Sequence, residues 1–354
     1  MNGLSLFASA GIGETYFSEV GVNIVVANEL IDKRANLYKS ISPEVDVICG
    51  DITDPIVFSK VIKSAKEKDV KFILASPPCQ GMSIAGKNRH PDTMINDERN
   101  YLITYVVKAI KELNPRYVLI ENVPALLKLV LNYKNKMRTV LDILDLEFKE
   151  KYDIASQIVD SSDYGVPQTR LRAIIKMNIH GYNWNWPEKS PKKVTVRECI
   201  GNLPSLESGE SSNVKWHFAR KHDPKNILWM KHTPTGHSAF ENEVYYPQKD
   251  DGSRIKGYQS SYRRIKWDEP SPTITIRNDC IASQRNVHPG RLLPDGTYSD
   301  ARVLTPLELM LLNSLPKDWN IPDDTPELLI RQCIGESIPP LMLKQIVSGI
   351  SEEL

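Results

Sequence analysis

Of the five cysteines in the chain, Cys49, Cys79, Cys199, Cys280 and Cys333, one stands where a thiol could do chemistry. Cys79 follows an apolar run in "FILASPPCQGMS", directly behind Pro77 and Pro78. Two proline rings fix φ and restrict their neighbours, so the thiol is expected on a rigid mount. An oriented thiol that can lose its proton is a nucleophile. The alternative is a small buried hydrophobe, and the Gln80 and Gly81 that follow argue against it. Glu121 closes a second apolar run, "YVLIENV". A carboxyl placed there is expected to have a raised pKa or to be tied by hydrogen bonds. Either state suits it to hold a proton near a ring nitrogen; a capping or solvated Glu is the alternative. "YGVPQTRLR" sets Arg170 and Arg172 on one face of an extended segment. Two guanidiniums so placed can clamp a carboxylate or a phosphate, unless they form a surface ion-pair strip.

A second group of residues suits a cofactor. "LFASAGIGE" puts Gly11 and Gly13 after a first strand and ahead of an expected helix, where glycine permits a tight turn and close approach of a ligand. The spacing departs from GxGxxG. Glu29 ends the second strand, where a carboxylate can accept from ribose hydroxyls. Asp51 ends the third, where it can accept from an adenine amino group. An adenosine-bearing cofactor explains all three; helix caps and solvated loop carboxylates are the alternative. No GxxxxGK[ST] is present, which argues against a nucleoside triphosphate.

These residues need a frame that brings strand ends together. Gly3–Phe7, Asn23–Glu29, Val45–Asp51, Lys71–Pro77 and Arg116–Val123 read as near-continuous apolar strands, and helical stretches separate most of them. "YDIASQIVD" and "RAIIKMN" read as two later strands. Strands apolar on both faces and alternating with helices predict a parallel, doubly wound, Rossmann-like α/β sheet. Beyond residue 180 the texture changes. Gly181–Arg264 is rich in Pro, Gly, Ser, Trp and His, and carries 14 basic against 9 acidic residues, an excess of five. Helical texture returns at Thr305–Leu315 and Pro339–Ile350. The expected division is a catalytic and cofactor-binding domain over 1–180 and 330–354, with a smaller domain and hinge over 181–329.

Composition narrows the class. The 354 residues allow two domains or one with an insertion. With 45 basic and 44 acidic residues, a uniformly basic surface is excluded, and any nucleic-acid site must come from local clustering. No apolar run reaches the length of a membrane span. The N-terminal apolar patch lacks a basic lead and reads as a strand rather than a signal peptide. The scattered cysteines, odd in number and without CxxC, indicate reduced thiols and no disulfide frame. His217, His222, His232 and His237 fit no standard zinc spacing, so no metal is expected. Trp184, Trp186, Trp216 and Trp229 read as small-domain core rather than base contacts.

Taken together, "LFASAGIG", "PPCQGMS", "ENV", "QTRLR", "YRRIKWDEPSPTITIR" (Tyr262–Arg277) and "IGESIPP" (Ile334–Pro340) occur in an order that resembles the bacterial DNA (cytosine-5) methyltransferases of restriction–modification systems, over nearly the whole chain. The resemblance implies an S-adenosyl-L-methionine-dependent methyltransferase sheet with a target-recognition domain. It implies that Cys79 adds to C6 of a cytosine flipped out of the duplex, that Glu121 acts at N3, and that C5 takes the methyl group. Arg172 would contact the base, and Arg170 would help hold the nucleophile loop. Gly81–Glu98 would close over the flipped nucleotide. Phe7, Gly11, Gly13, Glu29, Leu30 and Asp51 would contact the cofactor, with Ile52, Pro77, Leu102, Glu336 and Ser337. Gln80, Ser83, Gln168, Arg263 and Arg264 would serve DNA binding, and Gly181–Ser261 would read the target. The implied partners are double-stranded DNA and a cognate restriction endonuclease, for a cytoplasmic, nucleoid-associated monomer with no membrane attachment.

Some residues depart from the pattern. Ser9 interrupts the usual FAG turn, aliphatic Leu30 and Ile31 stand where some relatives stack an aromatic, and Met82 replaces a common Phe. Glu336 replaces the usual Asn beside the methionine part of the cofactor, which is expected to lower cofactor affinity. Three other readings compete. A tRNA cytosine-5 methyltransferase of the same fold would usually carry Cys-Phe-Thr, whereas Cys199 is followed by Ile200 and Gly201. An exocyclic amino-methyltransferase would have an aromatic where Cys79 stands. A non-enzymatic DNA-binding relative would lack the nucleophile.

Overall fold

The structure, a computed structural model, describes residues 1–78 and 97–351. The chain forms two compact units. One comprises Met1–Asp160, Leu171–Glu188 and Leu343–Leu354; the other comprises Ser161–Arg170 and Lys189–Met342. By compactness, residues 161–170 and 330–342 thus group with the second unit.

The first unit contains β1 (Asn2–Leu6), β2 (Asn23–Glu29), β3 (Asp46–Cys49), β4 (Val70–Ala75), β5 (Tyr117–Asn122), the hairpin β6 (Val130–Tyr133) and β7 (Lys136–Thr139), then β8 (Tyr152–Asp160) and β9 (Leu171–Ile179). Seven strands form one sheet in the order β3-β2-β1-β4-β5-β9-β8. Every residue of β5 is buried, as the continuous apolar reading requires. The helices α1 (Asp32–Ile41), α2 (Pro55–Glu67), α3 (Ile103–Leu113) and α4 (Val140–Phe148) cross between strands. Sequence sets their ends: Asp54 caps α2 by accepting from the Ile56 amide at 2.7 Å, with Pro55 in the first turn. Thr139 and Asp142 form a capping box at α4.

Two expectations are corrected. The sheet is not all parallel, because β9 runs antiparallel to both β5 and β8. Only residues 161–170 join β8 to β9, too few for a parallel crossover. No α-helix follows the glycine turn after β1; a single 3₁₀ turn at Phe17–Val20 leads to β2. A helix N-terminus therefore contributes nothing at that turn.

Strand order reverses between β1 and β4, so the crevice of an α/β sheet opens beyond their C-terminal ends. The sheet unit also holds Trp184 in β10 (Asn183–Trp184), which pairs with β11 (Ile350–Ser351). Its ring packs edge-on against Tyr117 at 5.7 Å and its indole N–H donates to the Ile346 carbonyl at 2.8 Å. Trp184 is thus core of the sheet unit and not of the smaller one.

The second unit has short elements: α5 (Val196–Ile200), α6 (Pro224–Lys231), α7 (Pro306–Leu312) and α8 (Glu327–Glu336). Trp229, Met230, Ile281, Val287 and Val303 form part of its apolar core. Beside them lies a buried charge network. Arg302 donates to Asp300 at 2.9 Å and to both oxygens of Glu308 at 2.8 and 2.9 Å. Burial works against ionising Glu308, but the Arg302 guanidinium outweighs it and holds the carboxyl down at about 2. Burial pushes His288 down to about 3, and its Nδ1 accepts from the Gly290 amide at 3.1 Å, as a neutral ring can.

Candidate active site

The turn after β1 is held from three sides. Phe7 and Ser9 both take positive φ, 60° and 51°. The Ser9 amide donates to Glu29 Oε2 at 2.8 Å, and the Ile31 amide donates to Glu29 Oε1 at 2.9 Å. Each carboxylate oxygen keeps a second lone pair for a ligand. Gly11 has φ +73°, and a Cβ there would lie 2.5 Å from the Tyr38 ring. Only glycine fits that contact. The Tyr38 hydroxyl in turn donates to Glu14 at 2.9 Å, and burial pushes the Glu14 carboxyl up. Gly13 is buried within the same turn.

Leu30 follows Glu29 with 62% of its surface exposed, and Ile31 is exposed beside it. Asp51 is exposed at the end of β3, where one oxygen accepts from the Thr53 amide at 2.8 Å. Ile52, by contrast, is buried in the sheet core, and Leu102 packs against that core.

Glu121 and Arg172 meet at the end of β5. The buried Glu121 carboxylate accepts from Arg172 Nε at 2.7 Å. The antiparallel register brings them together, since Glu121 pairs with Ile174, two residues beyond Arg172 in β9. Asn122, the middle residue of "ENV" and not singled out by the sequence argument, does a different task. Its amide donates to the Pro77 carbonyl at 2.8 Å, and its Oδ1 accepts from the Val123 amide at 2.8 Å. One buried side chain thus ties the strand end that carries the acid to the proline mount. Cys79, Gln80, Ser83 and the loop over 81–96 lie outside the described residues.

In the second unit, Arg170 and Gln168 act as internal ties. Arg170 Nη1 donates to the Ile274 carbonyl at 2.7 Å, and Nη2 donates to the Gly335 and Glu336 carbonyls at 3.1 and 3.2 Å. Gln168 accepts from the Ile274 amide at 3.0 Å and donates to Asn313 Oδ1 at 3.1 Å. Asn313 donates to Ser337 Oγ at 2.9 Å, and that hydroxyl donates to the Ile334 carbonyl. Gly335 lies so near this strap that a Cβ would sit 2.3 Å from the Thr275 carbonyl oxygen. The two arginines therefore do not share one ligand: Arg170 binds backbone and Arg172 binds Glu121.

Two DNA-contact expectations do not fit the geometry. Gln168 is fully buried with both ends of its amide engaged. Arg264 is 0% exposed, its guanidinium spread over the carbonyls of Met230, His288 and Asp300. A buried cation satisfied by backbone carbonyls cannot reach a phosphate. Arg263 is partly exposed and donates to Glu241, whose other oxygen meets His237 Nδ1 at 2.6 Å. The four histidines have separate partners. His217 bonds Thr305 and Pro204, His222 accepts from the Val303 amide, and His232 stacks on Tyr245 at 3.8 Å.

The family pattern described as C-5 cytosine-specific DNA methylase matches residues 1–352. The chain is 60% identical to a Type II methyltransferase, M1.HgaI, from Avibacterium volantium, over 99% of this chain and 98% of that protein. It is 26% identical to the Type II methyltransferase M1.HphI from Haemophilus parahaemolyticus, over 98% of this chain and 86% of the relative. Among solved structures, a prophage-encoded protein from E. coli described as a DNA modification methyltransferase shares the fold, with a TM-score of 0.72 at 18% identity over 99% of this chain and 98% of that one. With the strand-end acid, the proline mount and the glycine turn in place on such a sheet, and a match spanning nearly every residue, the chain belongs to the C-5 cytosine-specific DNA methylases.

Proposed function

We propose that this chain is the modification enzyme of a restriction–modification system, methylating C5 of a cytosine within a specific duplex sequence. The Glu121–Arg172 pair at the end of β5 carries the reading, with Asn122 holding the Pro77 carbonyl beside it. Cys79 adds through its sulfur to C6, which makes C5 nucleophilic. Glu121 stabilises the proton and charge that develop at N3 and accepts from the exocyclic amine. Arg172 orients Glu121 through its Nε and has further N–H groups to offer the base. A base then removes the C5 proton, the C6–sulfur bond breaks, and Cys79 returns as a thiolate.

The residues at the glycine turn fit S-adenosyl-L-methionine. A carboxylate with spare lone pairs, an exposed aliphatic surface at Leu30 and Ile31, and an exposed carboxylate at Asp51 suit ribose, adenine ring and adenine amine in turn. When bound, this group supplies an electrophilic methyl and leaves as a neutral thioether. Residues 1–180 and 330–354 would carry the chemistry and 181–329 the target reading and hinge, with Arg263 among the groups facing DNA. A cognate endonuclease, a monomeric state and a place at the nucleoid in the cytoplasm follow from that task. The deciding experiment is incubation with 5-fluorocytosine-containing duplex DNA and the cofactor. The expected result is a covalent complex for the wild type and none for Cys79→Ala. A wild type that forms no adduct on DNA yet transfers methyl to tRNA would replace this reading with the RNA one.

A further inference from the structure

Ser9, in the turn after β1, carries two costs. Its φ of 51° lies in the left-handed region, which a residue with a Cβ enters at a penalty. Its side-chain oxygen is buried and has no hydrogen-bond partner among the described residues, and a buried hydroxyl left unpaired is unfavourable. The fold does not require either cost. The Ala8 amide donates to the Asn28 carbonyl at 3.0 Å, the Gly11 amide donates to the Ala8 carbonyl at 3.0 Å, and the Ser9 amide donates to Glu29 Oε2 at 2.8 Å. All three are backbone donors, and glycine at position 9 would keep them without the strain. Strain and an unpaired group together at a ligand-facing turn point to a partner that arrives with the ligand.

The sheet order indicates which part of the ligand that is. Asp51 lies just beyond β3, Glu29 ends β2, and Ser9 lies just beyond β1, with β2 between the other two strands. With the adenine amine at Asp51 and the ribose at Glu29, a cofactor that continues in the same direction carries its amino-acid end over the turn after β1. Ser9 as a residue is only half-buried, so rotation to another staggered position about Cα–Cβ can bring its oxygen to the open side of the turn. A hydroxyl there can donate to a carboxylate.

We infer that the Ser9 hydroxyl binds the amino-acid end of S-adenosyl-L-methionine, exchanging its unpaired buried state for a bond to that group's carboxylate. This rests on the cofactor reading of the glycine turn. It makes a departure from the family pattern into a contact particular to this chain.

The test is calorimetry on the full chain with two ligands. S-adenosyl-L-homocysteine keeps the amino-acid end and has no methyl to transfer; 5′-methylthioadenosine lacks the amino-acid end. Two variants separate the hydroxyl from the backbone. Ser9→Gly removes the hydroxyl and relaxes the left-handed strain, whereas Ser9→Ala removes the hydroxyl and keeps the strain. Both should bind S-adenosyl-L-homocysteine about tenfold more weakly, the loss of one hydrogen bond to a charged group, and both should bind 5′-methylthioadenosine as the wild type does. Unchanged or tighter S-adenosyl-L-homocysteine binding in Ser9→Gly overturns the inference. A loss confined to one variant reports the backbone and not the hydroxyl, and also overturns it. An equal loss with both ligands places the hydroxyl at the nucleoside and overturns the assignment to the amino-acid end. A wild type that binds neither ligand shows instead that the cofactor reading fails, and the inference fails with it.

Discussion

Replacing Arg302 by Met removes the guanidinium that donates to both Asp300 and Glu308. All three side chains are buried, and Arg302 also donates to the Leu206 carbonyl at 2.8 Å. Taking one partner from a buried pair leaves an uncompensated charge and costs about 3–5 kcal/mol. Domain stabilities run to about 5–15 kcal/mol, so the loss would be about a fifth of the total or more. The pH dependence gives a second estimate. Glu308 is held from 4.5 down to about 2, so its stabilisation is present above pH 4.5 and disappears as pH falls through about 2. At about 1.4 kcal/mol per unit the shift corresponds to about 3 kcal/mol, in line with the first figure. Chemical denaturation followed by tryptophan fluorescence is the assay. Trp267 packs edge-on against His288 at 5.2 Å and reports on this network locally. Glu308→Gln keeps an acceptor for the Thr305 amide while removing the charge, and should flatten the acid limb of the stability curve. A loss below about 1 kcal/mol for Arg302→Met, with an unaltered acid limb in Glu308→Gln, would refute the network as a source of stability.

Asn122→Ala should lower methyl transfer about tenfold or more, since a lost buried hydrogen bond is worth about 1–3 kcal/mol and here it fixes the Pro77 carbonyl. Cofactor affinity by calorimetry should hold, and an unchanged rate would remove Asn122 from the mount. Glu336→Asn should tighten cofactor binding in the same calorimetric assay, as the family resemblance implies by placing position 336 beside the methionine part of the cofactor; equal affinities would show that Glu336 is not felt there.

The strands were legible because a strand buried on both faces must read as an apolar run, and β5 does so without interruption until Glu121. The direction of β9 was hidden, since it depends on the short 161–170 link and not on the residues within the strand. The resemblance implies DNA contacts for Gln168 and Arg264, and sequence alone does not correct it, because amide and guanidinium groups look alike whether their partners are phosphates or buried carbonyls. The Asp300–Arg302–Glu308 network was invisible for the same reason, since charges at such spacing ordinarily belong to a solvated face. Asn122 lay inside a quoted motif, yet only the proximity of β4 and β5 shows which carbonyl it serves.

The clasp between β10 and β11 has a consequence for loop length. The chain leaves the sheet unit after Glu188 and re-enters it at Leu343, and the strands flanking these two points, β10 and β11, pair with each other. Most of the second unit lies on the excursion that this clasp closes. Doubling the length of such an excursion adds only about 0.6 kcal/mol of closure entropy. Loops on that excursion can therefore lengthen at little cost in closure entropy, while the sheet that carries Glu29 and Glu121 keeps its own strand pairing.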